Sequence, residues 1–219
     1  MMVPRSSALL VLAALLGACA PQQQAALVET SPAPAPAPAA TLDASRYAGR
    51  PDGGHYLPAI DVAAFPPGLL RQEVDFPGDE PAGTVVIDTS GPFLYLVEPE
   101  GRATRFGIAV GKEGFGWTGS GTIARRSRWP GWTPPPEMIK RDPALARWRD
   151  GMPGGPTNPL GARALYIYFG GQDSGYRIHG TNQPKSIGWA ASSGCFRMLN
   201  QDVVELYERV PNGAKVVVR

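Results

Sequence analysis

Residues 176–199 of the chain read YRIHGTNQPKSIGWAASSGCFRML. The stretch contains His179, one of two histidines, and Cys195, one of two cysteines, sixteen positions later (195 − 179). A thiol with a pKa of about 8.5 needs a base to become nucleophilic near neutral pH, and an imidazole is the usual partner. The Ser-Ser-Gly triplet before Cys195 is typical of a tight turn that leaves the sulfur and nearby N–H groups accessible. The pattern predicts a cysteine nucleophile and acyl-transfer chemistry.

Each of these residues also has a purely structural interpretation. Cys195 can be a buried, unreactive thiol, since cysteines are among the most buried residues. His179 can be a hydrogen-bonded strand histidine without a chemical role. The occurrence of both residues around a small-residue turn favours the catalytic interpretation. His55, the other histidine, lies in a segment without clear pattern, and we discount it as the base.

The first residues have the pattern of an export signal. Residues 1–18 combine a positive charge at Arg5 with an apolar run over residues 8–16, which is shorter than the about 20 residues that span a bilayer. The run ends in Leu-Gly-Ala followed by Cys19, which resembles a bacterial lipobox and implies a lipid on Cys19. The alternative is an ordinary secretory signal that is cut nearby.

The chain then divides into three parts. Residues 19–41 are rich in proline and alanine, which alternate over residues 31–40, and this predicts a semi-rigid extended tether. Residues 42–80 are poorly patterned, with a short helix predicted around residues 61–65, and their role is not readable. Residues 81–219 are long enough for one domain with its own core. The net charge of +2 gives no argument for a nucleic-acid partner, and no ligand spacing indicates a metal or other cofactor.

The hydrophobic pattern of the domain is mainly that of strands. Alternating and β-branched runs predict strands over residues 84–88, 93–97, 102–110, 164–169, 176–179 and 215–219. We expect residues 89–92 to form a hairpin turn and residues 170–175 a loop. One helix is predicted, with Asn200 as its N-cap, Asp202 in its first turn and apolar residues at helical spacing up to Val210. The fold class is therefore mainly β, a sandwich or partly open barrel with few short helices.

Residues 114–159 separate the two groups of strands and are rich in Gly, Pro, Trp and Arg. A loop of this length is usually functional, so we predict a substrate-binding surface that includes Trp129 and Trp132. The alternative is an insertion that is merely packed by its tryptophans. Arg125, Arg126 and Arg128 in this segment can bind an anionic polymer, but a solvated face is the favoured interpretation.

Residues 84–219 resemble an L,D-transpeptidase catalytic domain of the YkuD type. The resemblance rests on Ile-His-Gly-Thr at 178–181, Ile-Gly at 187–188 and Ser-Ser-Gly-Cys-Phe-Arg-Met-Leu at 192–199. It is supported by Asn-Pro-Leu-Gly at 158–161 and by the segments at 110–117 and 129–135. Many members of this family have a histidine where this chain has Ser193. The resemblance implies the L,D-transpeptidase type of β-sandwich or partly open barrel.

The resemblance also implies an activity on peptidoglycan stem peptides. Cys195 would attack the carbonyl after an L-centre, release the terminal D-alanine and form a thioester. An amine acceptor would then give a 3-3 cross-link or attach a wall protein. Water as the acceptor would instead make the protein an L,D-carboxypeptidase, or a hydrolase that detaches wall-bound proteins. A non-catalytic wall-binding lipoprotein remains as an alternative of a different class.

The family's chemistry suggests a role for each residue around the nucleophile. Cys195 is expected to exist partly as a thiolate beside a protonated His179, which acts as base and then as acid. The resemblance implies that the Gly180 carbonyl orients the imidazole and that the N–H groups of Gly194 and Cys195 form the oxyanion hole, with Ser193 as a further donor.

Three further expectations concern substrate and location. Arg197 is predicted either to bind a stem-peptide carboxylate or to form a structural ion pair. Ser192, Ser193 and the tryptophans of the long segment are placed on the substrate-binding surface. The lipobox and Ala20 predict a lipid-anchored protein on the periplasmic side of a Gram-negative envelope, with outer-membrane sorting favoured.

Overall fold

The structure, a computed structural model, describes residues 43–111, 117–192 and 194–219. The predicted signal peptide, the whole predicted tether with Cys19, Ser193 and part of the 110–117 motif lie outside these residues. The strands are β1 (Arg50–Asp52), β2 (His55–Leu57), β3 (Gln72–Asp75), β4 (Val85–Asp88), β5 (Phe93–Val97), β6 (Arg102–Gly111), β7 (Gly119–Arg128), β8 (Arg163–Phe169), β9 (Gln172–His179), β10 (Ala190–Ser192), β11 (Phe196–Met198) and β12 (Lys215–Val218).

The helices are fewer and shorter. Two are α-helices, α1 (Pro136–Arg141) and α2 (Asn200–Arg209). The 3-10 helices are Ala44–Tyr47, Val62–Ala64, Pro67–Leu69, Pro99–Gly101, Pro143–Trp148 and Pro184–Ser186. No helix in the described part of the chain has both the length and the apolar character needed to cross a membrane. The mainly β fold with few short helices is confirmed.

The large sheet closes on itself through the long strand β6. The first half of β6 pairs with β5 and β3, and its second half pairs with β11 and β10. The pairings run from β6 through β11, β9, β8, β7, β12, β4 and β5 and return to β6. Buried side chains from these strands, among them Ile87, Leu94, Phe106, Ile123 and Ile178, fill the barrel-like interior together with α2. Their removal from water is the main favourable contribution to this arrangement.

The predicted strands are present, but one hairpin is longer than predicted. The loop expected over residues 170–175 is only a turn at Gly170 and Gly171, and β9 already begins at Gln172. Both glycines have positive φ, 54° and 83°, which suits a two-residue hairpin turn. The first half of β9 is mostly exposed and has the polar sequence Gln-Asp-Ser-Gly. It therefore lacks the apolar pattern from which a strand is predicted.

The segment 114–159 is not a loop throughout, contrary to prediction. β7 occupies Gly119–Arg128 and pairs with both β8 and β12. Within it Ile123 is buried, while its neighbours are exposed or half-buried. Glycine, serine and arginine therefore stand where strand-forming apolar residues are normally expected, and the pairing partners on both sides determine the conformation.

Helix α2 is present, but Asn200 is not its N-cap. The cap position is Leu199, and Asn200 is the first helical residue, with its side-chain amide directed to two neighbouring loops. Asp202 lies in the first turn as predicted; its carboxyl is buried, and burial raises its pKa to about 7. Helix α2 packs its buried side onto the sheet, and Val203 and Leu206 join the core.

Residues 43–80, whose role the sequence did not reveal, are folded onto the domain. The described residues from Asp43 onward belong to one compact unit. Tyr47, Leu57 and Leu70 are almost fully buried, and β3 extends the sheet beside β6. The predicted short helix around residues 61–65 is the 3-10 helix Val62–Ala64, with the Asp61 carboxylate accepting from Ala63 N.

Candidate active site

Two parallel strands place His179 and Cys195 in one pocket. Phe196 and Arg197 of β11 lie beside Ile178 and His179 of β9. His179 is the last residue of β9, and Cys195 directly precedes the first residue of β11. Both side chains line a pocket of about 510 Å³. The fold therefore brings together the two residues that the sequence singled out.

The imidazole of His179 is buried and has a defined orientation. Its Nδ1 lies 2.6 Å from the carbonyl oxygen of Gly180. Because a carbonyl can only accept a hydrogen bond, Nδ1 carries the proton and Nε2 keeps its lone pair. This is the tautomer that a general base requires. The contact has the form that the resemblance implied for Gly180, and its catalytic use stays a prediction.

Asn200 supports the turn that follows His179. Its Oδ1 accepts from Ala162 N at 2.9 Å and from Thr181 N at 3.2 Å, and its Nδ2 donates to Thr181 O at 2.9 Å. A Cβ on Gly180 would lie 2.1 Å from the same Oδ1, so a larger residue does not fit there. Sequence reasoning missed this function because an asparagine at a helix start normally indicates a cap.

The turn before Cys195 also depends on glycine. Gly194 has φ of 116°, a conformation that residues with a Cβ rarely adopt. The Sγ atom of Cys195 lies 4.0 Å from the carbonyl oxygen of Gly175. Ser192 ends β10, and Ser193 lies outside the described residues. The oxyanion hole assigned to Gly194 and Cys195 therefore stays a prediction, as does any contact of the two serines.

Burial favours the neutral form of both side chains, contrary to the expected thiolate and imidazolium. Burial, and then the cations of Arg197 and Arg177, lower the pKa of His179 to about 4. Burial also raises the pKa of the Cys195 thiol, although the same two arginines act in the opposite direction. At neutral pH Cys195 is therefore a thiol and His179 a neutral imidazole.

One side of the pocket is an apolar wall formed by the 130–160 region. Its contributors are Trp132, Pro135, Met138, Leu145, Trp148, Met152, Pro159 and Leu160. Trp132 exchanges two backbone hydrogen bonds with Met152, of 2.9 and 2.7 Å, which hold the wall together. Trp132 therefore lines the same pocket as Cys195 and His179, and its contact with a substrate stays a prediction.

The polar lining of the pocket contains both signs of charge. Arg197 and Arg147 supply guanidinium groups and Asp142 a carboxylate. Among the described residues Arg197 has no carboxylate partner, and its Nη1 donates to Gln183 Oε1 at 3.3 Å. Of the two roles left open for Arg197, binding of a substrate carboxylate is therefore favoured over a structural ion pair.

Trp129 lies outside this pocket, contrary to the prediction that it contacts substrate. It is 9% exposed and packs with Leu57 and Ala162. Its indole Nε1 donates to the backbone and carboxylate oxygens of Asp52, at 2.9 and 2.8 Å. The ring of His55 packs against Trp129 with 4.6 Å between centroids, so His55 also lies away from Cys195.

The three arginines of β7 serve the structure in different ways. Arg126 donates to Tyr207 O and Val210 O at 2.7 and 2.8 Å, and so satisfies carbonyls at the end of α2. Arg125 stacks on Tyr166 at 3.5 Å, and Arg128 pairs with an exposed glutamate of α2. The favoured interpretation, a simply solvated face, thus does not describe Arg126.

The comparison with protein families agrees with this site. The YkuD family, described as the L,D-transpeptidase catalytic domain, matches residues 82–218. The chain belongs to this family. The matched region contains β4 to β12 and every described residue of the pocket, whereas β1 to β3 precede it.

Curated relatives carry the same family name. "Probable L,D-transpeptidase ErfK/SrfK" of Escherichia coli K12 is 34% identical over 143 residues, which cover 61% of this chain and 43% of that protein. "Putative L,D-transpeptidase YkuD" of Bacillus subtilis 168 is 49% identical over 63 residues, 29% of this chain and 36% of that protein. The chain thus spans less than half the length of either relative.

A solved structure from Brucella melitensis is also similar. It is 51% identical, covers 73% of this chain and 99% of its own, and has a TM-score of 0.49. It is named a probable carnitine operon oxidoreductase, caia. A TM-score at this level carries no argument about activity, so the YkuD assignment rests on the family match.

Proposed function

We propose that this YkuD domain is an L,D-transpeptidase that acts on peptidoglycan stem peptides through a thioester on Cys195. One observation carries the proposal: the bond from His179 Nδ1 to Gly180 O leaves Nε2 as a proton acceptor in the pocket that Cys195 also lines. The family match and the names of the relatives support this choice of substrate.

Acylation begins from the neutral pair. As the sulfur of Cys195 attacks the carbonyl carbon after the L-centre, its proton passes to Nε2 of His179. Backbone N–H groups of Gly194 and Cys195 stabilise the oxyanion. The bond to the nitrogen of the terminal D-alanine then breaks, and the imidazolium returns its proton to that nitrogen. Burial and the nearby arginines make the imidazolium a strong acid, which favours this second transfer.

Deacylation repeats the sequence with a new nucleophile. An amine of a second stem peptide, or of a wall protein, loses a proton to His179 and attacks the thioester. The carbon–sulfur bond breaks, and the thiol of Cys195 regains its proton. Arg197, which faces the pocket without a carboxylate partner among the described residues, is suited to bind a carboxylate of one of the peptides.

The test is mass spectrometry with a tetrapeptide muropeptide. The full chain carries Cys19→Ser, so that Cys195 is its single cysteine. We expect a thioester adduct and a dimer that lacks one D-alanine, and neither product with Cys195→Ala. A tripeptide monomer alone would show that water is the acceptor and that the protein is a carboxypeptidase. The absence of adduct and product would favour detachment of wall proteins or a binding role.

The location is proposed from the sequence. The lipobox at residues 16–19 supports a lipid on Cys19 and anchoring on the periplasmic side of the envelope, in the outer membrane. Intact-mass measurement of the protein from the membrane fraction should show the added acyl chains. Cys19→Ser should remove them, and an unmodified wild-type Cys19 would refute the anchor.

A further inference from the structure

Asp52 belongs to the hairpin β1–β2, which precedes the YkuD match, and it makes a buried ion pair with the domain. Its two carboxylate oxygens accept from Nη1 and Nη2 of Arg163, both at 2.7 Å. The Arg163 side chain is 2% exposed and that of Asp52 16%. A two-pronged contact of this kind fixes both groups in direction as well as distance.

Asp52 also anchors the end of β7, the strand that pairs with β8, in which Arg163 is the first residue. Trp129, directly after β7, has φ of 42°, a left-handed conformation that costs about 1–2 kcal/mol for a residue with a Cβ. Its indole is bonded to Asp52, and its backbone N–H donates to Ala162 O at 2.8 Å. Arg163 Nη1 donates to the same carbonyl at 2.8 Å. Asp52 therefore fixes the end of β7 and the start of β8 together.

A short chain of hydrogen bonds leads from this point to the candidate base. The carbonyl oxygen of Arg163 accepts from Gly180 N at 3.0 Å. The carbonyl of Gly180 in turn accepts from His179 Nδ1. Ala164, next to Arg163, is the cross-strand neighbour of His179. The backbone of Arg163 is thus one peptide away from the group that selects the tautomer of the imidazole.

We propose that Asp52 is a positioning residue for His179, acting through Arg163 and the Gly180 peptide. The inference rests on the proposed function in so far as it treats His179 as the base. Removal of the carboxylate leaves a buried guanidinium without its counter-charge, so β8 must shift or admit water at its first residue. A shift there turns the Gly180 carbonyl and loosens its contact with Nδ1.

The resting protein offers a direct test by NMR. With two histidines in the chain, ¹⁵N-histidine labelling gives two imidazole rings, and His55→Gln assigns them. We compare Asp52→Asn with the control Asp75→Asn, which breaks the exposed Arg102–Asp75 pair between β3 and β6, of 2.6 Å. The Nδ1–H signal of His179 should be sharp in the wild type and the control, and broadened or exchanged in Asp52→Asn.

Single-turnover acylation gives the second readout. Asp52→Asn should slow thioester formation on the order of ten- to a hundredfold, with the KM for the donor peptide unchanged within about twofold, because the base is misdirected while the pocket wall is intact. Asp75→Asn should acylate at the wild-type rate. Equal acylation rates and equal His179 spectra in the two variants would overturn the proposal.

The design keeps the two proposals separate. If the wild-type protein forms no thioester, the proposed function fails, and the NMR comparison still decides whether Asp52 orients His179. Should Asp52→Asn lose the dispersed spectrum of a folded protein, Arg163→Lys replaces it, since it keeps the buried charge and removes the two-pronged contact. Unfolding of both variants would assign the pair to stability and reject positioning.

Discussion

The two sides of the pocket are built in opposite ways. His179 and Asn200 belong to an interior of paired strands and a packed helix, and both are largely buried. The opposite wall carries α1 and the 3-10 helix Pro143–Trp148, and no residue of these two fully described helices is buried. Local stability follows buried apolar contact, so the catalytic side should open rarely and the wall more readily.

This difference separates chemistry from recognition. The paired strands hold the proposed base, His179, and the proposed nucleophile, Cys195, in one geometry, and a change there should lower kcat. The wall presents large side chains, among them Trp132 and Trp148, and its two helices have no buried residue. A change there should raise KM. Kinetic constants of matched variants on the two sides can therefore confirm or refute the contrast.

Replacement of the nucleophile should have the largest effect. Cys195→Ala removes the sulfur that forms the thioester, and we expect turnover to fall by at least about 10⁴-fold. Product formation from the muropeptide measures the loss, and far-UV circular dichroism should show an unchanged fold. Substantial residual turnover would mean that the reaction does not pass through this cysteine.

Replacement of His179, the proposed base, should cause a smaller loss of activity, and the wild type should show a distinctive pH profile. His179→Ala should slow acylation about 10²- to 10⁴-fold, the usual range for a positioned general base. In the wild type the base is neutral above its lowered pKa of about 4, so the rate of acylation should persist below pH 6 and fall only as pH approaches 4. An acid limb near pH 6.5 would show that the imidazole is not held in this environment.

The sequence predicted His179 and Cys195 because the pattern that marks them is local in the chain. Both residues stand beside small residues in a distinctive spacing, and the strands around them carry β-branched runs. The sequence did not predict the contact of Asn200 with Thr181 or that of Asp52 with Arg163, because in each case the partner lies far away in the chain. β7 was missed for a related reason: its strand conformation comes from pairing on both edges rather than from apolar residues.

Trp129 is a residue whose location the sequence predicted wrongly. Composition grouped it with Trp132, but the left-handed backbone at Trp129 turns its indole toward Asp52 and away from the pocket. Only the three-dimensional arrangement separates two tryptophans that stand three positions apart in one segment (132 − 129).

Removal of an aromatic side chain from the apolar wall should raise KM. Trp148→Ala removes a large aromatic surface from the pocket lining, and a loss of about 1.4 kcal/mol in binding corresponds to a roughly tenfold rise in KM, with kcat nearly unchanged. Tyr56→Ala, a change at an exposed aromatic residue outside the pocket lining, is the control. A fall in kcat without a change in KM for Trp148→Ala would break the proposed division.

The smallest effect should come from the support of the wall. The Asp142 carboxylate accepts from Ala144 N at 3.1 Å and caps the 3-10 helix Pro143–Trp148. Loss of such a cap costs about 0.5–1 kcal/mol of local stability, so Asp142→Ala should raise KM about two- to fivefold. Because the Asp142 carboxylate also lines the pocket, Asp142→Ser, which keeps a capping oxygen and removes the charge, is a further control and should leave KM nearly unchanged. Asp43→Ala removes an equivalent cap, also of 3.1 Å, from the helix Ala44–Tyr47, whose residues do not line the pocket. Because both variants lose the same kind of hydrogen bond, an equal rise in KM would mean that the wall carries no special role in recognition.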